Sequence, residues 1–284
     1  MKILSFGEII WDVFPDDKYI GGATFNFAAN LALFGADSYL LSSVGNDTLA
    51  DEALTYVDKF KIKNDFISRC NDKETGQCIV HFDKVIGPYY TIKEDVSYDY
   101  LCFKERLIKE DFDALSFGSL ALRSKNNFNL LDKLINSNKY KLLFCDINLR
   151  APFYNEKVVN YCFDKANILK INDLEFNELI NKDNKDNKDN KDFKEVLKEF
   201  TNNHSNIEIV LLTCGEKGAY AYVKNQDKLY YQQAMKVDVV STVGAGDSFG
   251  ACFLYHYIND ESIEDCLLKA TIRSAKIVSQ MSAI

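Results

Sequence analysis

Short, nearly continuous apolar runs that alternate with longer segments of helical periodicity place the strongest constraint on how this chain folds. The runs at 38–45, 166–172 and 207–215 are almost wholly apolar, whereas 156–166 repeats its apolar residues every three to four positions. Apolar strands of this kind are covered on both faces, and a helix between two of them joins parallel neighbours. The sequence therefore predicts an α/β fold with a mostly parallel central sheet.

The remaining runs follow the same rhythm. A chain of 284 residues, 47% of them hydrophobic, is long enough to bury a core of this size, so we expect one domain over residues 1–284. Further strands are predicted at 2–10, 113–120 and 141–149. Helices are predicted at 25–35, 47–60, 124–138 and 193–203, followed by two packed helices at 248–259 and 261–280.

Two stretches depart from this rhythm. Residues 65–100 alternate polar and apolar side chains, with Gly87-Pro88 as a turn signal, which predicts a small antiparallel sheet inserted into the α/β body. Such a sheet serves as a lid or an oligomer contact, and residues 12–22 are assigned to the same lid. Residues 181–192 repeat the tripeptide Asn-Lys-Asp without any apolar residue. This predicts a disordered surface loop, with a binding tail as the alternative.

Charge and cysteine content indicate where the protein works. The net charge of −8 disfavours nucleic acid and anionic membranes as main partners. No uncharged apolar run approaches the roughly 18 residues that a membrane span needs. The eight cysteines form no C-x-x-C pair, which favours reduced, buried thiols over a disulfide or zinc framework. We expect a cytoplasmic protein that binds neither nucleic acid nor membrane.

The stretch Ser-Thr-Val-Gly-Ala-Gly-Asp at 241–247 places a side-chain-poor turn and a carboxylate just before an apolar helix. Gly244 and Gly246 let backbone N–H groups approach a ligand, and the first N–H groups of a helix favour a phosphoryl group. Asp247 would repel a resting phosphate but is suited to take a proton from an attacking hydroxyl. A plain tight turn capped by Asp247 is the alternative. Dinucleotide-binding and P-loop fingerprints do not fit, because neither spacing occurs where it is required.

Motifs in a consistent order along the chain resemble the PfkB, or ribokinase-like, family of carbohydrate kinases. The opening at 7–47 is similar to that family, and its Trp-Asp-Val-Phe-Pro stretch and the lid segment 87–101 are similar to the fructokinase branch. Residues 241–247 correspond to the signature D-T-x-G-A-G-D. Further matches are FGSLALRS (117–124), DINLR (146–150), KINDLE (170–175) and TCGEKGA (213–219). The resemblance implies a three-layer α/β/α sandwich with a small β-sheet lid over the sugar.

The resemblance also implies catalytic roles. Asp247 would be the general base that draws a proton from a sugar hydroxyl as it attacks the γ-phosphate of ATP. The anion hole would come from Gly244, Ala245 and Gly246. Asn172 and Glu175 match a motif that organises Mg²⁺ near the phosphates, with an ordinary helix cap as the alternative.

Binding roles follow from the same resemblance. The sugar-binding positions are matched by Asp12, Gly21, Gly22 and Asn26, with a turn and helix cap as the alternative. Asn148 and Arg150 lie at the end of a predicted strand, where parallel sheets bind ligands. They are expected to bind a phosphate or a sugar oxygen. The nucleotide-binding positions are matched by Thr213, Gly215, Gly218, Thr242 and Gly244, with a strand-to-turn corner at 213–218 as the alternative.

Two positions depart from the family pattern. Ser241 stands where the family usually has an aspartate that helps to hold a monovalent cation, which puts activation by K⁺ in doubt. Thr24-Phe25 stands where a proline and a small residue are common in the fructokinase branch, which changes the rim of the sugar pocket or its packing.

The function implied is an ATP-dependent sugar kinase that makes a fructose phosphate. Within the same class, ribose, 2-keto-3-deoxygluconate or a nucleoside would be alternative acceptors. From a different class, a sugar-binding or regulatory homologue without catalysis remains an alternative, although the base, the glycines and the N-x-x-E pair are all present. The family lid often pairs between subunits, so we expect a homodimer.

Overall fold

The computed structural model describes residues 1–83, 87–137, 140–180 and 193–284. They form two compact units. The first unit comprises 1–116, 121–141 and 282–284, and the second comprises 117–120 and 142–281. The predicted loop at 181–192 lies outside the described residues, and the assignment of the whole chain to one domain stays a prediction.

The strands follow the alternation seen in the sequence. In chain order they are β1 (Lys2–Phe6), β2 (Ile10–Val13), β3 (Lys18–Gly21), β4 (Asp37–Val44), β5 (Ile67–Arg69), β6 (Gly76–Asp83), β7 (Gly87–Ile92), β8 (Ala114–Gly118), β9 (Leu142–Asp146), β10 (Ile168–Asn172), β11 (Ile209–Thr213), β12 (Ala219–Val223) and β13 (Lys228–Gln232).

The helices separate most of these strands. They are α1 (Ala23–Leu33), α2 (Thr48–Lys59), α3 (Lys125–Ser137), α4 (Glu156–Lys165), α5 (Asp173–Leu179), α6 (Phe193–Asn203), α7 (Ala245–Ile258) and α8 (Ile263–Val278). The bounds of α1, α2, α3, α4 and α6 differ from the predicted ones by at most two residues. Helix α7 begins earlier than predicted, so the glycine turn itself forms its first turn.

The large sheet has nine strands in the order β13-β12-β11-β10-β9-β8-β1-β4-β5. In the first unit β1 pairs parallel with β4, and β4 with β5; in the second unit β10 pairs parallel with β9 and β11. This mostly parallel sheet is flanked by helices, which confirms the predicted α/β sandwich. The last two strands, β12 and β13, pair antiparallel and were not predicted.

A separate four-stranded sheet, β3-β2-β6-β7, belongs to the first unit and confirms the predicted small sheet. Strand β6 pairs antiparallel with β7 but parallel with β2. The single strand predicted at 2–10 is wrong, because the chain leaves the large sheet after Phe6 and enters the small sheet at Ile10. Gly87 and Pro88 lie at the start of β7, rather than in a turn.

Two further expectations concern the surroundings of the protein. Within the described ranges, no helix is both long enough and apolar enough to cross a bilayer. All eight cysteines are free thiols in these residues, and six of them are buried.

Candidate active site

The start of helix α7 has the geometry that the glycine turn predicts. Gly244 precedes the helix in the left-handed conformation, with φ 78° and ψ −5°, which favours glycine. Its carbonyl accepts the N–H of Ser248 at 2.9 Å, and Asp247 lies in the first turn. The leading N–H groups of a helix have no acceptor within it, and that of Ala245 donates to the Thr242 carbonyl at 3.3 Å. The helix directs its positive dipole end towards this turn.

A cavity of about 700 Å³ lies within the second unit, beside this turn. Its size is in the range of small-molecule sites in proteins. Its apolar wall includes Met235, Val237 and Phe249. Of the residues predicted for the nucleotide and the anion hole, those that line the cavity are Thr213, Gly215, Gly218, Thr242, Ala245 and Gly246.

The segment 233–239 supplies much of that wall, and the sequence analysis did not assign it to the site. It follows β13 and has no regular secondary structure, so it carries neither periodicity nor a motif. Main-chain hydrogen bonds fix the residues that follow it. The N–H groups of Val240 and Ser241 both donate to the carbonyl of Val278, at 2.7 and 3.2 Å.

A buried group of charges lies in the same unit. Lys170 Nζ on β10 donates to Asp146 Oδ2 at the end of β9, over 2.8 Å. Burial alone would lower the pKa of Lys170, but the negative charges of Asp146, Glu175 and Asp247 hold it above its usual value. The lysine therefore stays protonated at neutral pH.

Asn172 and Glu175 form a reciprocal cap at the start of α5. Asn172 Oδ1 accepts the N–H of Glu175 at 2.9 Å, and Glu175 Oε2 accepts the N–H of Asn172 at 3.0 Å. Glu175 Oε1 also accepts the N–H of Leu149 at 2.8 Å. Burial raises the pKa of Glu175, and the charge of Asp146 adds to this effect. The helix cap considered as an alternative is therefore present, and it ties α5 to the loop after β9.

That loop carries two more predicted residues. Asn148 has a positive φ of 40°, and its carbonyl accepts the hydroxyl of Ser119 at 3.4 Å. Arg150 is exposed, and its Nη1 donates to the carbonyl of Leu149 at 3.1 Å. Among the described residues, no carboxylate forms an ion pair with Arg150, which leaves its guanidinium available to an anion.

The residues predicted to bind the sugar lie in the first unit. A Cβ built on Gly21 would lie 2.9 Å from Asp12 Oδ2, so the Asp12 carboxylate lies against this turn. Gly22 precedes α1, and its carbonyl accepts the N–H of Asn26 at 2.9 Å. Asp12 is partly exposed, whereas Asn26 is only 2% exposed.

A buried carboxylate that the sequence analysis missed supports this turn. Glu8 Oε1 accepts the N–H of Thr24 at 3.2 Å, and Glu8 Oε2 accepts the Thr24 hydroxyl at 3.1 Å. Thr24, which departs from the residue common in the fructokinase branch, therefore has a definite hydrogen-bond partner. The sequence did contain a signal for Glu8, because an acidic residue is unusual within an apolar stretch.

Within each unit, the predicted residues converge. The first unit brings together Asp12, Gly21, Gly22 and Asn26, and the second brings the remaining ones to the carboxyl ends of β9, β10 and β11 and to the start of α7. In the described residues, no group of three or more His, Cys, Asp or Glu side chains could hold a metal by itself.

An α/β sandwich with such a helix start beside a ligand-sized cavity has the architecture of a phosphotransferase that acts on an alcohol. A family model described as "pfkB family carbohydrate kinase" matches residues 3–284, so the chain belongs to that family. This confirms the resemblance drawn from the motifs.

Three similar proteins illustrate the range of the family. A 5-dehydro-2-deoxygluconokinase of Listeria monocytogenes is 24% identical over all of this chain and 88% of its own length. The crystal structure of 2-dehydro-3-deoxygluconokinase from Thermotoga maritima has a TM-score of 0.88 and 20% identity, covering 100% of this chain and 95% of that one. Fructokinase from Vibrio cholerae O395, solved with fructose, ADP and calcium, has a TM-score of 0.81 and 20% identity, covering 99% and 94%. The two solved structures show that this chain shares their fold, and the three names leave its acceptor open.

Proposed function

We propose that this carbohydrate kinase transfers the γ-phosphate of ATP to a hydroxyl of fructose. One observation carries the reaction type: Asp247 lies in the first turn of α7, directly after Gly246, which lines a cavity of about 700 Å³. An anion-binding turn and a carboxylate base at one helix start suit the attack of a hydroxyl on a phosphoryl group.

Asp247 accepts the proton of the sugar hydroxyl as the new oxygen–phosphorus bond forms and the bond to the leaving ADP breaks. The N–H groups at the start of α7 bind the charge that gathers on the phosphoryl oxygens. Arg150, which forms no ion pair with a carboxylate of the described residues, is suited to bind a phosphate oxygen. No covalent intermediate on the protein is needed, because positioning and electrostatics can carry this transfer.

Mg²⁺ fits the pair Asn172 and Glu175 through bound water. Each Glu175 oxygen already accepts one backbone N–H, which leaves one lone pair on each oxygen for a water molecule bound to the ion. When bound, the ion would neutralise phosphate charge. Turnover that persists in excess chelator would contradict this assignment.

Ser241 is the reason we propose that turnover does not depend on K⁺. Its hydroxyl accepts the N–H of Val243 at 3.2 Å, and the side chain brings no negative charge to the turn. Rates in equal concentrations of K⁺ and Na⁺ should therefore agree within about twofold. A loss of activity in Na⁺ would contradict this proposal.

The choice of fructose follows from the residues of the first unit that are predicted to bind the sugar. Asp12 is a carboxylate, and the matched residues beside it, Gly21, Gly22 and Asn26, include no cation. A neutral polyol can share several hydrogen bonds with a carboxylate and an amide. A sugar acid such as 2-dehydro-3-deoxygluconate would place its own carboxylate against Asp12. It is the second candidate because the similar Thermotoga maritima protein is named for that sugar acid and the Listeria protein for a related one, 5-dehydro-2-deoxygluconate.

We further propose a homodimer formed through the small sheet and a cytoplasmic location. The sheet has two outer strands, β3 and β7, and exposed strand edges favour pairing. Eight free thiols suit a reducing compartment. Light scattering at the mass of one chain would contradict the dimer.

The reaction is tested by ADP release with Mg-ATP on a panel of fructose, ribose, glucose, 2-dehydro-3-deoxygluconate and nucleosides. We expect fructose to be the best acceptor and Asp247→Asn to lower kcat by about 10³-fold, because a positioned base contributes on that scale. Asp265→Asn is the matched control: it makes the same change in the first turn of α8 and should leave kcat unchanged.

Two outcomes would contradict parts of the proposal. Turnover on another acceptor alone would overturn fructose but keep the chemistry. ATP binding without ADP release on any acceptor would favour the non-catalytic, sugar-binding alternative.

A further inference from the structure

Lys170 is a charged residue in the middle of a core strand. It lies on β10, between β9 and β11, and the residue is only 5% exposed. Its neighbours along the strand, Leu169 and Ile171, are fully buried. An ammonium group in such a place costs several kcal/mol unless it is paired. An apolar residue would serve the core better, so the contacts of the ammonium group must explain the lysine.

The side chain of Lys170 runs along the first two turns of α7. A Cβ built on Gly250 would lie 3.3 Å from Lys170 Cδ, and one built on Gly246 would lie 3.0 Å from Lys170 Nζ. Gly246 and Gly250 are four residues apart and therefore share one face of the helix. The two glycines leave the space that the lysine fills, and its charge reaches the first turn of α7.

Three carboxylates from three elements act on this ammonium group. Asp146, at the end of β9, accepts its hydrogen bond at 2.8 Å. The negative charges of Glu175 in α5 and Asp247 in α7 also act to raise the pKa of Lys170. Without the cation, these carboxylates would repel one another and any phosphoryl group bound at the turn, and partial burial strengthens that repulsion.

We propose that Lys170 is a positioning residue for phosphoryl transfer: it holds the first turn of α7 against β10 and offsets the carboxylates around it. This inference rests on the proposed kinase function. Lys170 acts through Gly246 and Asp247 and is not among the residues that line the cavity. Its loss should therefore lower kcat and leave the KM for ATP nearly unchanged.

The test compares Lys170→Met with the double variant Asp146→Asn, Lys170→Met. The single variant leaves the Asp146 carboxylate buried without its partner, whereas the double variant removes both charges and nearly keeps the volume. We expect the double variant to recover most of the thermal stability while its kcat stays about 100-fold below wild type, with the KM for ATP within about twofold. Recovery of kcat together with stability would mean that Lys170 only neutralises Asp146, and would overturn the proposal.

Gly250→Ala is the control for packing. The added methyl group crowds Lys170 Cδ and the Phe144 ring, at 3.3 and 3.0 Å, but leaves the charge in place. We expect a lower melting temperature and a kcat within about threefold of wild type. A loss of kcat as large as that of Lys170→Met would assign the effect to packing and overturn the role of the charge.

Amide hydrogen exchange separates this proposal from the kinase function itself. Faster exchange at 244–248 in the double variant, with α8 unchanged, would support the positioning role even if no acceptor in the panel were turned over. Unchanged exchange at 244–248 would overturn it, whatever the activity.

Discussion

Helices α1 and α7 begin in nearly the same way, but side chains of opposite charge contact their first turns. Each follows a glycine of positive φ, Gly22 at 101° and Gly244 at 78°, and neither glycine has a side chain that could cap its helix. At α1 the Glu8 carboxylate accepts the N–H and the hydroxyl of Thr24. At α7 the charged side chain packed against the first turn is a cation, Lys170.

The comparison shows that one local geometry can serve two purposes. A carboxylate at a helix start satisfies donors and the dipole, so the protein supplies its own anion to α1. At the start of α7 the buried charge is a cation, so under the proposed function the anion would come from a ligand. The glycine turn alone therefore does not identify a phosphate site, and the sign of the nearest buried charge separates the two cases.

The largest effect expected on stability is that of Gly22→Ala. The new Cβ would lie 2.9 Å from the Glu8 carbonyl oxygen and 3.2 Å from the Ile10 nitrogen, both backbone atoms, at a φ of 101°. We expect the free energy of unfolding to fall by about 3 kcal/mol, from crowding and left-handed strain together.

Urea denaturation measures this loss, and Gly215→Ala isolates the strain. Gly215 also has a positive φ, 54°, but an added Cβ would meet no atom within 4 Å. We expect that control to lose about 1 kcal/mol. Equal losses in the two variants would contradict the claim that the start of α1 is closely packed.

A smaller effect is expected from Glu8→Gln. The amide keeps the shape of the side chain but removes its charge and one acceptor, so α1 loses its resident anion. The free energy of unfolding should fall by about 2 kcal/mol, and ATP affinity should not change. Calorimetry measures both quantities. Glu105→Gln, an exposed glutamate, should change stability by less than about 0.5 kcal/mol, and an equally small effect at Glu8 would break the comparison.

Helix α2 provides a third case, with an ordinary side-chain cap. Asp47 Oδ1 accepts the N–H of Ala50 at 2.8 Å, and Asp47 Oδ2 accepts the N–H of Thr75 at 2.8 Å. Burial works to raise the pKa of Asp47, but hydrogen bonds from Thr75 and Ala50 lower it below its usual value. The carboxylate therefore stabilises the fold above pH 4, and this contribution is lost as the pH falls through the lowered pKa.

We expect Asp47→Ala to lose about 1 kcal/mol at pH 7 and progressively less below pH 4. Asp47→Asn keeps an acceptor without titrating, so its stability relative to Asp47→Ala should not vary with pH. Denaturation at pH 7 and pH 3 measures both variants. A loss for Asp47→Ala that is the same at both pH values would contradict the assigned pKa direction.

The sequence predicted what depends on local pattern. Periodicity located α1, α2 and α6 to within two residues, and glycine chemistry placed Asp247 at a helix start. Lys170 was missed because within its apolar strand a lysine looks like an isolated exception, and its partners come from distant parts of the chain. The pair β12 and β13 was missed because neither strand shows two-residue alternation: β12 is almost wholly buried, and the outer strand β13 is exposed or half-buried along its length.

The hydrogen bonds from Val240 and Ser241 to Val278 have a practical consequence for handling this protein. They make the last turn of α8 a support for the wall of the cavity beside α7. Trimming the chain before Val278, or fusing a rigid partner close to it, would disturb a region far away in sequence.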